Sequence, residues 1–596
     1  MIELAYNPQD ERYLFLKGDG TKIWWKVKGK DKLIPELDAL KSHLNLIPDY
    51  QFRPSYKGIP TPEVFLHPMK KGDTMYYWCH SGLWHEIEIW CKTHKVRLQS
   101  NIDKRFKYQR LKDTKESFFE WVKSLELNLE PRDYQLLAAW KILNYKQSMS
   151  QLATRAGKTL IAYIVFRYML ERMGAKNILM IVPNISLVKQ GVEDMSKYKE
   201  FFKTDQVWAK SEYCQGSNLT IGTFQSLVRR IDKKNKKYDP KFFDKFDVIL
   251  CDECHKAACK SIDMIMRQPF IKNAKLRFGF SGTIPPANTI ENYCCQSLMG
   301  PVIQDITSKE LIDEGYLADV DITQVRIHYD WNESLYKDYI DNAEYLCATY
   351  VEDANGKRVL LPKEERSFLI QHKKELPFSI KKVKKKMNED LKYARQERDP
   401  IKRQEEEDTA IMEYIEYLTD LCKANGSNIL LLEQMVMFLQ EKKIQALEDV
   451  LCRRDGNYIV FAHHAEWLKH LESRLKIDFP DKEVMLINGA TPQKKREKII
   501  KTMEEQSNCV LIASYACVGT GLTFKNVEAG VFAESFKSQI INKQSLGRGL
   551  LLAPGKKKFY LYDLIDCLPT RRLEFQGNSK KSLFTKEGYN VTIEHK

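Results

Sequence analysis

No stretch of these 596 residues approaches the ~18 consecutive apolar residues that a membrane helix needs. The first twenty, MIELAYNPQDERYLFLKGDG, place acidic groups early and lack an apolar core segment, so a cleaved secretory leader is not expected. No internal repeat at a fixed period is present. The 14 cysteines are scattered through a long chain instead of being packed into a small domain, which suits reduced thiols. These absences predict a soluble cytoplasmic protein with no membrane partner. What is present is an apolar fraction of 43 %, enough for cores without disulfides or metals. At roughly 100–200 residues per domain, the length fits three or four domains. Lys and Arg number 95 against 80 Asp and Glu, a net charge of +15. A surplus of that sign favours polyanions such as nucleic acid, although charge alone does not establish such a partner.

The middle of the chain alternates short apolar runs with helical stretches, the pattern of a parallel sheet covered by helices. KNILMIVPN (176–184), FDVILCDE (246–253) and LRFGFSGT (276–283) read as strands. After a break, NYIVFAHH (457–464), EVMLINGA (483–490), NCVLIASYA (508–516) and KFYLYDLID (558–566) form a second set. The fold class is therefore α/β, with two parallel-sheet domains in tandem, a small α+β N-terminal domain and a charged helical insert. The expected boundaries are 1–115 for the N-terminal domain, 116–325 and 446–596 for the α/β domains, and 326–445 for the insert. The run 380–418 changes from basic to acidic, interrupted by Pro400. It reads as a solvated helical hairpin, or more sharply as a phosphate contact through Lys381, Lys382, Lys384, Lys385 and Lys386.

Two short stretches carry chemistry. LATRAGKT (152–159) is a small-residue loop between a strand and a helix, where backbone N–H groups and the helix N-terminus can close around phosphates. Lys158 would reach the β and γ phosphates, and Thr159 would hold Mg²⁺ through its hydroxyl. The match is imperfect, with Leu152 where the general pattern has Gly, and Arg155 inside the loop. The second stretch, CDECHKAAC (251–259), admits two readings: zinc ligands Cys251, Cys254, His255 and Cys259, or the acidic pair Asp252 and Glu253 of an ATPase. An apolar strand ending in two carboxylates, downstream of a phosphate loop, supplies the metal and the positioned water that phosphoryl transfer needs. Cys251 should alternate to the face opposite Asp252, away from Cys254, which counts against zinc.

With these two motifs the chain resembles the superfamily 2 helicases of the DEAH/DExH type, whose other motifs follow in order. EPRDYQ (130–135) resembles the adenine-reading segment, IVPNISLVKQ (181–190) motif Ia, TIGTFQSL (220–227) motif Ic and FSGT (280–283) motif III. IVFAHH (459–464) resembles motif IV, ASYACVGTGL (513–522) motif V and QSLGRGLL (544–551) motif VI. DECHKAACKSI, FGFSGT, FKSQIINKQSLGRGLL and YLYDLID are similar to the branched-DNA helicases of T-even phages. That resemblance spans 130 to about 567 apart from the insert. FRPSYKGIP (52–60) and GLWHEIEIWCKTHKV (82–96) are loosely similar to their DNA-binding N-terminal domain.

The resemblance implies two RecA-like domains with ATP between them, as ATP and Mg²⁺ cofactors of movement along nucleic acid. It places Gln135, Thr154, Arg155, Ala156, Gly157, Lys158, Thr159, Asp252, Gly519 and Gly521 at ATP, with Thr159 and Asp252 as Mg²⁺ ligands. Glu253, Gln544 and Arg548 are the implied catalytic residues, and His255, Ser281 and Thr283 couple hydrolysis to domain closure. Pro183, Asn184, Thr223, Gln225, His464, Ser514 and Thr520 are the implied nucleic-acid contacts. Its partners would be DNA, branched or single-stranded, and RNA in hybrids, acted on by a monomer in a host cytoplasm. Leu551 departs from the pattern, which has a second arginine three places beyond Arg548. An arginine finger can be worth ~10³–10⁵ in rate, so an ATP-gated DNA binder with weak hydrolysis is an alternative. A restriction or defence translocase and an RNA helicase are further alternatives, although no nuclease motif accompanies the motor.

Three smaller features remain. Cys79, His80, His85, Cys91 and His94 fit no common zinc spacing and read better as a strand followed by an amphipathic helix whose Leu83, Ile87, Trp90 and Cys91 face a core. Trp24 and Trp25 with Lys26 and Lys28 offer stacking and neutralising groups, but packing is the expected role of both tryptophans. Arg571, Arg572, Lys580 and Lys581 form a basic tail suited to nonspecific phosphate contacts.

Overall fold

The protein is described from a computed structural model. It covers the chain except residues 7–12, 28–29, 49–62, 72–73, 101–107, 110, 209–215, 259, 267–273, 330–336, 338, 342, 344–349, 353–357, 361–377, 425–432, 435, 438–439, 519–525, 535–538, 553–555, 557 and 569–570. FRPSYKGIP, Lys28, Cys259, Gly519, Thr520 and Gly521 lie outside the described residues.

Two seven-stranded sheets, parallel throughout, dominate the molecule. The first runs Thr204–Val207, Leu219–Thr223, Ile178–Val182, Val248–Asp252, Leu276–Ser281, Gln147–Leu152 and Val302–Ile306 from edge to edge. The second runs Glu483–Ile487, Cys509–Ser514, Tyr458–Ala462, Ala529–Phe532, Lys558–Cys567, Asp319–His328 and Val591–His595. Each strand named from the sequence is present. The near-continuous burial of Ile178–Val182 and Tyr458–Ala462 is what a parallel strand covered by helices on both faces requires. The helix Lys158–Arg172 is buried on every side from Leu160 to Phe166, as a central helix beneath the sheet must be.

Two segments lie elsewhere than expected. Asp319–His328, expected at the end of the first α/β domain, pairs along its whole length with Lys558–Cys567 in the second sheet. The basic tail is not a tail: Arg572–Lys586 is a helix and Val591–His595 an edge strand paired with Asp319–His328. Lys580, expected at phosphate, is 2 % exposed and ion-paired with the equally buried Asp563, while Arg572 pairs with Glu433 at 2.7 Å. A buried ammonium is held there by its carboxylate and cannot serve a surface contact.

The N-terminal domain is α+β. Its sheet runs His67–Lys71, Thr74–His80, Tyr13–Gly18, Ile2–Tyr6 and Leu98–Ser100, backed by the helices Glu36–Leu44 and Trp84–Thr93. Leu83, Ile87, Trp90 and Cys91 are buried in its core. Trp25 packs against Trp90 and His94, with ring centroids 5.7 and 5.1 Å apart. Trp24 does not pack: on the ribbon Lys22–Val27/Lys30–Pro35 it points outward and is 71 % exposed. The domain docks on the helix Ile290–Met299, whose Tyr293 is fully buried in the N-terminal core and 3.0 Å from His43 Nε2. The insert contains an antiparallel helical pair, Phe378–Ala394 and Pro400–Ala424. Its charge is not solvated on all sides, because Tyr414, Ile415 and Leu418 enter the core of the second lobe.

Candidate nucleotide site and nucleic-acid face

The site forms at the carboxyl ends of adjacent strands, where open α/β sheets leave a crevice. Pairing of Asp252 with Phe280 and of Ser281 with Gln151 brings the ends of three strands level, so the loop 153–157, the acidic pair and Ser281 face one another. Gly157 caps the helix that follows in the left-handed region, φ 75° and ψ 39°. Arg155 (φ 77°) and Glu253 (φ 53°) are left-handed without being glycine. Such residues cost ~1–3 kcal/mol each and cluster where function maintains them.

The loop is held from behind. Gln135 Nε2 and Tyr134 Oη both donate to the Ala156 carbonyl at 3.0 Å, and Gln135 Oε1 accepts from Arg132 N at 2.9 Å. From the loop's leading edge Lys158 Nζ reaches Glu253 Oε1 at 3.1 Å. Glu253 Oε2 lies 3.3 Å from His255 Nδ1, which is 2.9 Å from Ser281 Oγ. Ser281 donates its own proton to the Thr283 carbonyl at 2.6 Å, so His255 Nδ1 carries the hydrogen in the contact with Ser281. A continuous chain thus joins Lys158, Glu253, His255, Ser281 and Thr283.

The two carboxylates are pushed in opposite directions. Burial drives Asp252 up to about 6, with Lys158 offsetting only part of the effect. For Glu253 burial acts in the same sense, but Lys158 and His255 outweigh it and hold the group well below the usual carboxylate range. Asp252 Oδ1 is buried and accepts no hydrogen bond. A buried carboxylate oxygen without a protein donor is the kind of ligand a hard divalent cation takes. The zinc reading fails on geometry, since His255 is turned toward Glu253 and Ser281. Cys251 and Cys254 are fully buried among apolar side chains, and burial holds both thiols well above their usual range. Among the described residues, no group of three or more His, Cys, Asp and Glu is placed to hold a metal.

The second lobe meets this loop through the helix Gln539–Gly549, which carries Gln544 and Arg548. Its Gly547 passes so close that a β-carbon there would stand 2.6 Å from Thr154 Cβ. The narrow crevice between the lobes is lined by Thr154 and Thr283 from one side and Lys543, Leu546 and Glu587 from the other. Gly547 and Lys543 escaped the sequence reading although both lie in or beside the quoted motif VI.

The expected nucleic-acid residues divide. Gln225 Nε2 donates to the Pro183 carbonyl at 3.3 Å, tying motif Ic to motif Ia, and Asn184 caps its helix by accepting from Leu187 N at 3.0 Å. Thr223 is 2 % exposed, and its hydroxyl accepts from Ser226 N and donates to Ser226 Oγ, so it caps a helix instead of presenting a surface hydroxyl. Ser514 ends its strand 8 % exposed. His464 begins the helix Ala465–Asp478; burial, aided by His463 and Lys443, lowers its pKa to about 4, so it is neutral at pH 7.

Two parallel α/β lobes with a phosphate loop, a strand-end acidic pair and a facing motif VI helix define an ATP-hydrolysing helicase, and the chain is similar to the helicases of superfamily 2. Residues 128–286 match the family described as type III restriction enzyme, res subunit, and residues 442–550 match the helicase conserved C-terminal domain. Among individual proteins, the chain is similar to the ATP-dependent DNA helicase uvsW of Enterobacteria phage T4, 25 % identical over 86 % of this chain and 83 % of that one. It is also similar to the DNA 3'-5' translocase XPB2 of Sulfurisphaera tokodaii, 22 % identical over 48 % of this chain and 60 % of the relative. The solved structure of T4 UvsW aligns over 100 % of this chain and 99 % of its own at 18 % identity, with a TM-score of 0.40. As a helicase the protein uses ATP and binds nucleic acid. Among the described residues, no helix is long and apolar enough to cross a membrane.

Proposed function

We propose that the protein is a DNA motor that remodels branched DNA, regressing forks, migrating Holliday junctions and unwinding R-loops in phage-type recombination and replication. The contact of Lys158 with Glu253, continued through His255 to Ser281, carries the ATP-driven part of this reading, and the branched-DNA part rests on the resemblance to the helicases of T-even phages. In it Lys158 and the backbone of Thr154–Gly157 hold the phosphates, Gln135 reads adenine, and Thr159 with Asp252 holds Mg²⁺. The cation supplies charge neutralisation on the phosphates. Glu253, kept ionised by Lys158 and His255, orients the attacking water. When ATP enters, its phosphates compete for the Lys158 ammonium and release Glu253 for that task, so the pair is a resting latch.

Gln544 and Arg548 complete the site from the second lobe, with Gly519 and Gly521. Ser281 and Thr283 pass the state of Glu253 to the crevice between lobes. Pro183, Asn184, Gln225, His464, Ser514 and Thr520 grip the strand, the first three acting as a unit through the bond between Gln225 and Pro183. Thr223 acts there by capping its helix and setting the backbone. DNA as the track follows from the relatives' stated activities.

A second reading rests on Leu551, half-buried where a second arginine is expected: an ATP-gated DNA binder with slow turnover. Hydrolysis measured with single-stranded, duplex and four-way-junction DNA separates the two. Strong stimulation by junctions supports the remodelling motor. Binding without turnover, with turnover gained in Leu551→Arg, supports the gated binder.

A further inference from the structure

The helical pair of the insert ends in a built turn. Asp399 caps the second helix by accepting from Ile401 N at 2.9 Å and Lys402 N at 3.4 Å, and Pro400 occupies the first helical position, where no N–H is needed. Glu397 accepts from Arg398 N at 2.7 Å and Asp399 N at 3.1 Å, while Arg403 Nε donates to the Glu397 carbonyl at 2.9 Å. Both acids of the turn are thus engaged by backbone, and the turn is fixed.

On this fixed support stand two exposed apolar side chains, Tyr393 at 75 % and Ile401 at 72 %, one on each side of the turn. Between 392 and 403 the chain carries five basic groups, Lys392, Arg395, Arg398, Lys402 and Arg403, against Glu397 and Asp399. Among the described residues Lys392, Arg398 and Lys402 form no ion pair, whereas the basic run nearer the base is offset, with Lys385 facing Glu389 and Lys386 facing Glu413. One flank of the pair is a groove lined by Asp390, Glu405, Glu406 and Glu413 below Tyr393. The device is therefore basic and aromatic at its tip and acidic along that flank.

We propose that this tip is a second nucleic-acid contact, separate from the motor groove, that stacks Tyr393 and Ile401 on an exposed base face at a branch point while Lys392, Arg398 and Lys402 hold the flanking phosphates. Polyanion charge is repelled by the acidic flank and attracted by the tip, which confines the contact to the end of the hairpin. Within continuous duplex each base face is covered by its neighbour, so a stacking side chain finds a partner only at an end, a mismatch or a branch. This deepens the branched-DNA reading and rests on it.

The test measures equilibrium binding of the full chain to forked and to end-capped, continuous duplex DNA, together with ATP hydrolysis. The variants are Tyr393→Ala/Ile401→Ser and, separately, Lys392→Gln/Arg398→Gln/Lys402→Gln. Because the substituted side chains are exposed, circular dichroism should match the parent. Loss of stacking should weaken fork binding ~5- to ~150-fold and leave duplex affinity and DNA-independent hydrolysis within twofold. The charge variant should lower the slope of log affinity against log salt by ~1 per lost phosphate contact, on forks only. Fork affinity equal to the parent's in the Tyr393/Ile401 variant overturns the proposal and assigns the tip to a protein partner. Equal loss on both DNAs also overturns it. Tip-dependent fork binding by a parent that never hydrolyses ATP would keep this contact and remove the motor reading.

Discussion

Replacing Gly157 by alanine isolates what the phosphate loop requires of its backbone. Two penalties coincide there. At φ 75° and ψ 39° a β-carbon meets the following carbonyl, which costs ~1–2 kcal/mol. The same β-carbon would stand 2.1 Å from Gln135 Nε2, so Gln135 must move and give up its bond to the Ala156 carbonyl. Leaving that buried amide without its partner costs a further ~1–3 kcal/mol. If the loop relieves both by opening, the cost appears in nucleotide affinity, ~2–5 kcal/mol or ~30- to ~4,000-fold. Gly174 provides the control: its φ is also 75°, but nothing lies within 4 Å of its would-be β-carbon. Gly174→Ala should therefore lower the melting temperature by the backbone cost alone and leave nucleotide binding unchanged. Titration with a fluorescent ATP analogue, beside thermal melts, reads both quantities. Parental affinity in Gly157→Ala, or equal losses in the two variants, would refute the loop geometry.

Other consequences follow from the same structure. Since the folded pKa of Asp252 is raised, to about 6, its ionised form gains population as pH rises, and Mg²⁺-supported hydrolysis should decline below about pH 6. That ionised form also opposes folding above this range, so Asp252→Asn should raise the melting temperature at about pH 8 and by less at about pH 5.5, while abolishing hydrolysis. Lys580→Ala leaves Asp563 buried without its ammonium and should cost ~3–5 kcal/mol in denaturant unfolding, whereas a surface-tail lysine would cost almost nothing. Gly82→Ala would place a β-carbon 1.9 Å from the Gln296 carbonyl. Limited proteolysis should then release the N-terminal domain from Ile290–Met299 faster than in the parent, at an overpacking cost of ~1–3 kcal/mol.

Local chemistry was legible in the sequence, and long-range placement was not. The apolar runs 176–184 and 457–464 are strands because they are short, rich in Ile and Val and bounded by polar residues, and GKT with DECH foretold that a loop and two carboxylates would meet. The course of Asp319–His328 could not be read, because its alternation suits an edge of either sheet and only its pairing with 558–567 decides. Lys580 looked like its neighbour Lys581, for the partner that buries it is Asp563 on another element. Thr223 carried a helicase motif and, in the same threonine, a helix cap that accepts from Ser226 N. Trp24 and Trp25 are adjacent and read alike, yet period-two alternation sends one to the core and the other to solvent.

Steady-state ATP hydrolysis with and without single-stranded, duplex and four-way-junction DNA, in the parent and in Glu253→Gln, tests the central claim most directly. Turnover should rise strongly with branched DNA and vanish in Glu253→Gln while ATP and DNA still bind. Background turnover on every DNA, or hydrolysis that survives Glu253→Gln, would contradict it.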